Sequence, residues 1–238
     1  AGLLTFDLDR DYGWDDGLIC GGHMQVAVLP IRTPEEARPF AEAAAQLERG
    51  EAVCVPLQIE HEGRTLHYRL HIEAPARLII AGAGHVGTEV ARLAVGLDFE
   101  VTVIDDRAEF ANDRRLPPPI RPIVGDIATT LPRQPIDART YVVIVTRGHK
   151  HDEQALQAVI DRPARYVGMI GSRRKVALIF DDLAAAGVPR EKLARVYSPI
   201  GLPIGSVTVP EIAISIVAQL VEVRRQAGQP TRVEAVSE

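Results

Sequence analysis

A chain of 238 residues with 46% hydrophobic content can bury one large core or two modest ones. Its formal net charge of −5, with no basic tail, argues against sequence-independent nucleic-acid binding, which depends on neutralising phosphates, and no nucleic-acid partner is expected. No apolar run reaches the roughly 18–20 residues of a membrane-spanning helix, no signal peptide is visible, and two cysteines, Cys20 and Cys54, give no disulfide framework, so a reducing compartment without a membrane partner is expected.

The chain begins at Ala1 and enters a strand at once, over residues 3–8, so its first unit is expected to be truncated at the start. A turn-rich stretch, Asp11-Tyr-Gly-Trp-Asp-Asp-Gly17, leads to Leu18-Ile-Cys-Gly-Gly22. There Cys20 precedes Gly21 and Gly22, whose amides can lower a thiol pKa or receive an anion; a small buried residue before a turn is the plainer alternative. Residues 24–30 alternate weakly, as a strand does. Thr33-Pro34-Glu35-Glu36 then starts a helix, with a capping threonine, proline at the first helical position and acids in the first turn. The helix should run to about Arg49 and stop at Gly50. Strands follow over about 52–58 and 65–70, and Cys54 between valines is expected in the core. Residues 1–72 thus read as a small α+β domain, with 73–76 as its linker.

From residue 77 to 225 the pattern becomes strand, helix, strand, repeated. Short apolar runs at 78–81, 101–104, 122–124, 141–145 and 166–170 suit parallel strands covered on both faces. Helical stretches at about 86–95, 152–160 and 173–186 alternate with them. The fold class is therefore α/β, a Rossmann-like doubly wound parallel sheet preceded by the smaller α+β domain. A last helix opens at Thr208-Val-Pro-Glu211, a capping-box pattern, with an apolar stripe through Ile212, Ile216 and Leu220. Residues 226–238 are a polar tail expected to fray.

Chemistry concentrates where strands end. Gly82-Ala-Gly-His-Val-Gly87 follows one strand and opens a helix. Gly82 permits the tight turn, Gly84 lets backbone approach a phosphate, and Gly87 lets helix pack on strand. The helix start adds unpaired amides and partial positive charge. Asp105 ends the next strand, about where an acid binds a ribose hydroxyl, although a strand-end turn role is also open. Beyond the strand at 141–145 comes Thr146-Arg-Gly-His-Lys-His-Asp152. In the usual strand order His85, Gly148, His149, His151 and Asp152 converge at the topological switch point. Imidazoles there can donate to phosphate, ligate metal or titrate near neutral pH. Asp152 can instead cap its helix, and a His-x-His-Asp metal site lacks a clear fourth ligand, so no metal site is assigned. Gly168-Met-Ile-Gly-Ser-Arg-Arg-Lys175 places cations in a helix's first turn, against its dipole, which makes sense if an anion sits there. Gly171 and Ser172 would shape that start, and Arg173 and Arg174 would clamp phosphate or carboxylate. A solvated face balanced by Asp181 and Asp182 is the alternative. Ser198-Pro-Ile-Gly-Leu-Pro-Ile-Gly205 reads as a constrained loop near the same crevice.

These ordered motifs, from Cys20-Gly-Gly22 through the glycine turn, the Thr146–Asp152 and Ile170–Lys175 segments and the Ser198–Gly205 loop, resemble the XdhC/CoxI family of xanthine dehydrogenase accessory proteins across nearly the whole chain. The family's early Gly-Ser-Ser-Pro-Arg-like loop has no counterpart, since this chain begins downstream of it. The resemblance implies an XdhC-type N-terminal domain and a C-terminal Rossmann domain. It implies a cytoplasmic chaperone that carries molybdenum cofactor, as molybdopterin or its dinucleotide form. Such a protein presents the cofactor to a cysteine desulfurase for sulfuration and to a molybdenum hydroxylase apoenzyme for insertion, and works as a homodimer. The residues themselves leave alternatives open: an NAD(P)-dependent oxidoreductase, or a protein-docking module. No Ser/His/Asp spacing and no Gly-x-Ser-x-Gly elbow is present, which favours a carrier over a catalyst.

Overall fold

The computed structural model describes residues 2–7, 23–61, 63–226 and 231–235, and the chain divides into two units, Ala1–Ala74 with Gln229–Glu238, and Pro75–Gly228. In the first, β1 (Gly2–Asp7) pairs antiparallel with β2 (His23–Val28). Helix α1 (Pro34–Glu48) begins with a complete capping box: Thr33 Oγ1 accepts from the Glu36 amide, and Glu36 Oε2 accepts from the Thr33 amide. β3 (Val53–His61) and β4 (Arg64–Ile72) form an antiparallel hairpin. Along β3 the side chains alternate: Val53, Val55, Leu57 and Ile59 are buried, and the residues between them face out. The two-residue period puts Cys54 on the outer face, with Sγ 4.0 Å from His71 Nε2, which corrects its assignment to the core.

The second unit is the Rossmann domain. Its strands are β5 (Ala76–Ala81), β6 (Phe99–Asp105), β7 (Arg121–Val124), β8 (Thr140–Ile144) and β9 (Tyr166–Met169), all parallel, in the order β7-β6-β5-β8-β9. The continuous apolar runs have the reason the sequence suggested, because each strand feeds two layers. On β5, Leu78 and Ile80 pack with α2 (His85–Val95) and α7 (Val209–Gln226), whereas Ile79 and Ala81 pack on the opposite side. That opposite layer holds α4 (His149–Val159) and α5 (Arg173–Ala185), with the one-turn helices α3 (Ile127–Thr130) and α6 (Arg190–Leu193). The reversal of strand order puts the switch point between the neighbouring strands β5 and β8, beyond the ends that carry the glycine turn and the Thr146 loop.

An aromatic column, buried except for half-buried Tyr197, braces the α7 side. Tyr141, Tyr166 and Tyr197 stack in series, with Phe99 edge-on to Tyr141. The Tyr166 hydroxyl donates to Gln219 Oε1 at 2.6 Å, and the Gly201 amide donates to the same oxygen at 2.9 Å. Burial raises the Tyr166 pKa further above its already high ordinary value, so the hydroxyl remains a donor. Tyr166→Phe should cost about 1 kcal/mol, the usual net value of one hydrogen bond; urea unfolding followed by circular dichroism checks it, and an unchanged midpoint would remove this hydroxyl's role.

After α7 the chain returns to the first unit as β10 (Thr231–Ala235), antiparallel to β4, giving a sheet of order β10-β4-β3. The fraying expected after Arg225 is thus corrected over these five residues, whose alternation of Val233 and Ala235 with charged residues is a strand pattern once an edge is offered. No helix among the described residues is long and apolar enough to cross a membrane.

Candidate functional site

The glycine turn follows β5 as its motif demands. Gly82 has φ +112°, and a Cβ there would lie 2.5 Å from the Val145 carbonyl oxygen. At Gly87 a Cβ would lie 1.9 Å from the Gly82 carbonyl oxygen, so the first turn of α2 rests directly on the strand end. Gly84 differs: a Cβ would meet nothing within 4 Å. It is the N-cap of α2 and no side chain caps the helix there, so the turn presents its free amides outward.

Those amides open on a cleft of about 420 Å³ at the switch point. Its walls include Gly82, Gly84 and His85 from the turn, Asp106, Arg107 and Phe110 after β6, Thr146, Arg147 and His151 after β8, Ile170 after β9, and Val209 at the start of α7. The His85 and His151 rings make no hydrogen bond to any described residue, so both can reach a ligand. Two guanidiniums stand beside them. Arg147 Nη2 donates to Asp106 Oδ2 at 2.7 Å, which joins the β8 and β6 ends across the crevice. Arg107 lies 3.7 Å over the Phe110 ring and forks onto Asp105.

Asp105 also lines the cleft, but its carboxylate is committed to the protein's own donors. Only 2% exposed, it accepts from the Ala83 amide at 2.8 Å, the Arg107 amide at 3.1 Å, and Arg107 Nε and Nη2 at 2.8 and 2.9 Å. A carboxylate offers about four acceptor positions, and these four donors fill them. Its geometry is that of the strand-end alternative, a latch between β6 and the glycine turn, with no lone pair left for a ribose hydroxyl. Burial pushes its pKa up, but the Arg107 guanidinium and the two amides outweigh that and hold it below the usual carboxylate range.

Other expected residues part company. α4 starts at His149, three residues earlier than the pattern predicted, because its N-cap is Gly148, which has no capping side chain to mark it. His149 and His151 are therefore two apart on a helix and point in different directions. His151 lines the cleft, while His149 faces α5. Asp152 is fully buried and is not the cap; it accepts from the Thr146 amide at 3.2 Å and from the Thr146 hydroxyl, and pairs with Lys175. This pair absorbs the third cation of the α5 start. Ser172 caps α5 by accepting from the Lys175 amide. Gly148, Gly171, Ser172, Arg173 and Arg174 do not line the cleft, which β9 reaches only through Ile170. The Ser198–Gly205 loop is fastened at both ends: Ser198 Oγ donates to the Met169 carbonyl at the end of β9 at 2.9 Å, Ser215 Oγ of α7 donates to the Leu202 carbonyl at 2.7 Å, and Gln219 takes the Gly201 amide. Cys20, Gly21 and Gly22 lie outside the described residues. Sequence reasoning missed Arg107, Phe110 and Arg147 as walls, although charges placed just past two strand ends were a visible signal.

Uncharacterized protein YqeB of Escherichia coli (strain K12) is 34% identical over 152 residues, which are 63% of this chain but only 28% of that protein. A probable xanthine dehydrogenase subunit of Bacillus subtilis (strain 168) is 24% identical over 268 residues, covering 95% of this chain and 77% of that one. A solved structure of a xanthine dehydrogenase from Bacillus halodurans shares the fold, with a TM-score of 0.78 at 23% identity over 96% of this chain and 77% of its own. Residues 78–220 match the family described as the XdhC Rossmann domain, and the chain belongs to that family.

Proposed function

We propose that the Rossmann unit binds molybdenum cofactor as cargo, gripping its terminal phosphate, or the pyrophosphate of its dinucleotide form, at the glycine turn. The observation that carries this reading is the uncapped start of α2, with open space at Gly84 and two partnerless imidazoles beside it. Free amides at a helix start attract anions, and the Arg107 and Arg147 guanidiniums stand on the same walls as hydrogen-bond donors, each ion-paired with its own aspartate, Asp105 or Asp106. Membership of the XdhC family and the kinship with a probable xanthine dehydrogenase subunit support an accessory role in a xanthine dehydrogenase system. In that role the protein shields the cofactor, offers it to a cysteine desulfurase for sulfuration, and passes it to a molybdenum hydroxylase apoenzyme, working as a homodimer.

The test is retention of molybdopterin by the purified protein after desalting. We expect stoichiometric retention, and binding about tenfold weaker or worse in His85→Ala and Arg147→Ala, since a hydrogen bond to a charged group is worth about 1.5–3 kcal/mol. A protein that keeps no cofactor overturns the reading. The saturated carboxylate of Asp105 weighs against a nicotinamide-dependent oxidoreductase, which needs an acceptor for the ribose. Titration with NADH should accordingly leave its fluorescence unchanged, and a saturable response would restore that alternative.

A further inference from the structure

Away from the cleft, the surface between α4 and α5 gathers one imidazole and two carboxylates. His149 and Glu153 are four apart on α4 and so share a face, and Asp182 projects from α5. His149 Nε2 lies 3.6 Å from Asp182 Oδ2 and 4.0 Å from Glu153 Oε2. One ligand atom from each of the three lies within 4.8 Å of the other two. A first-row ion bonded to imidazole and carboxylate at about 2.0–2.2 Å spaces its ligands by about 3–3.5 Å. Small rotations of these partly exposed side chains close that difference.

The neighbouring acids behave differently. Asp152 pairs with Lys175, Asp181 with Arg190, and Asp161 with Lys192. Glu153 and Asp182 take no lysine or arginine among the described residues, and their shared ion-pair partner is a single imidazole. Two carboxylates drawn to one ring leave negative charge that a divalent ion would balance.

We propose that His149, Glu153 and Asp182 form a site for a divalent transition-metal ion of the Zn²⁺, Mn²⁺ or Co²⁺ class, with water completing its coordination. The imidazole selects this class over Mg²⁺ and Ca²⁺, which prefer oxygen throughout. This is not the His-x-His-Asp arrangement weighed from sequence, because His151 turns away into the cleft. The ion would tie the first turns of α4 to α5, and those turns carry His151, so metal binding would stiffen one wall of the cleft. The inference does not depend on what the cleft holds.

Titration of the full-length protein with Co²⁺ tests it. A visible d–d absorption band should grow to saturation at one ion per chain, and Zn²⁺ should abolish it. His149→Ala and Asp182→Asn should each weaken binding at least tenfold, no less than the about 10–100-fold that outer-shell changes cost. Asp181→Asn, whose carboxylate is held by Arg190, should bind as the parent does. In the unaltered protein, paramagnetic broadening by Mn²⁺ should centre on residues 149, 153 and 182. If Co²⁺ binds the parent no better than His149→Ala, or the broadening centres elsewhere, the cluster is only a histidine–carboxylate ion pair and the proposal fails.

Discussion

Gly87→Ala should destabilise the Rossmann unit by about 3 kcal/mol or more, the upper part of the range for overpacking. The added methyl meets a backbone oxygen at 1.9 Å, and that oxygen belongs to Gly82, itself held at φ +112° against Val145. Neither neighbour can yield by a side-chain rotation, so α2 must lift off the strand. Gly84→Ala is the matched control. Its methyl enters open space, and alanine at an N-cap should cost about 1 kcal/mol or less relative to glycine, since glycine is itself a modest cap. Yet that methyl stands where a phosphate would approach, so cofactor retention should fall in a protein that remains folded. Urea unfolding of both variants separates packing from ligand approach; equal midpoints for the two would refute the distinction.

Removing the latch at Asp105 should be nearly as severe. Asp105→Ala strands the Ala83 amide and deprives Arg107 of its forked partner. We expect a loss of about 2–3 kcal/mol, short of the 3–5 kcal/mol for a fully buried pair because Arg107 still reaches solvent. The loss should depend on pH in a defined sense. The folded pKa of Asp105 lies below its unfolded value, so the unfolded chain binds the extra proton first on acidification. The carboxylate's contribution is complete above about pH 4 and fades as pH falls through the lower folded value. The gap between parent and variant should therefore shrink in acid; a gap that is constant from neutral pH to strongly acidic conditions would contradict the assigned role.

The two-layered sheet was legible because its strands repeat one physical problem, burial on both faces, and solve it with short apolar runs. The glycine turn was legible because its spacing after a strand has physical reasons, and two of them are now visible as close contacts at Gly82 and Gly87, while Gly84 has open space around it. What did not show was direction. His149 and His151 read as one cluster until the helix began at Gly148, whose missing side chain left no mark of a boundary. Arg173 and Arg174 read as a clamp because a helix dipole argues for an anion, but not for which cleft that anion occupies. Asp105 sat at the expected position, and only the placement of Arg107 two residues on decided what it binds. Pairings of this kind arise from side-chain geometry that spacing alone does not encode.

The return of the chain to β4 makes the smaller unit discontinuous in sequence. The third strand of its β10-β4-β3 sheet is synthesised only after the entire Rossmann unit, so that sheet can be completed only late in translation. Until then β4 has a bare edge of unpaired amides and carbonyls, the sort of template on which foreign strands add. A fragment ending before Gln229 would keep that edge permanently, so dissecting this protein into its parts calls for joining the two distant stretches rather than for a single cut.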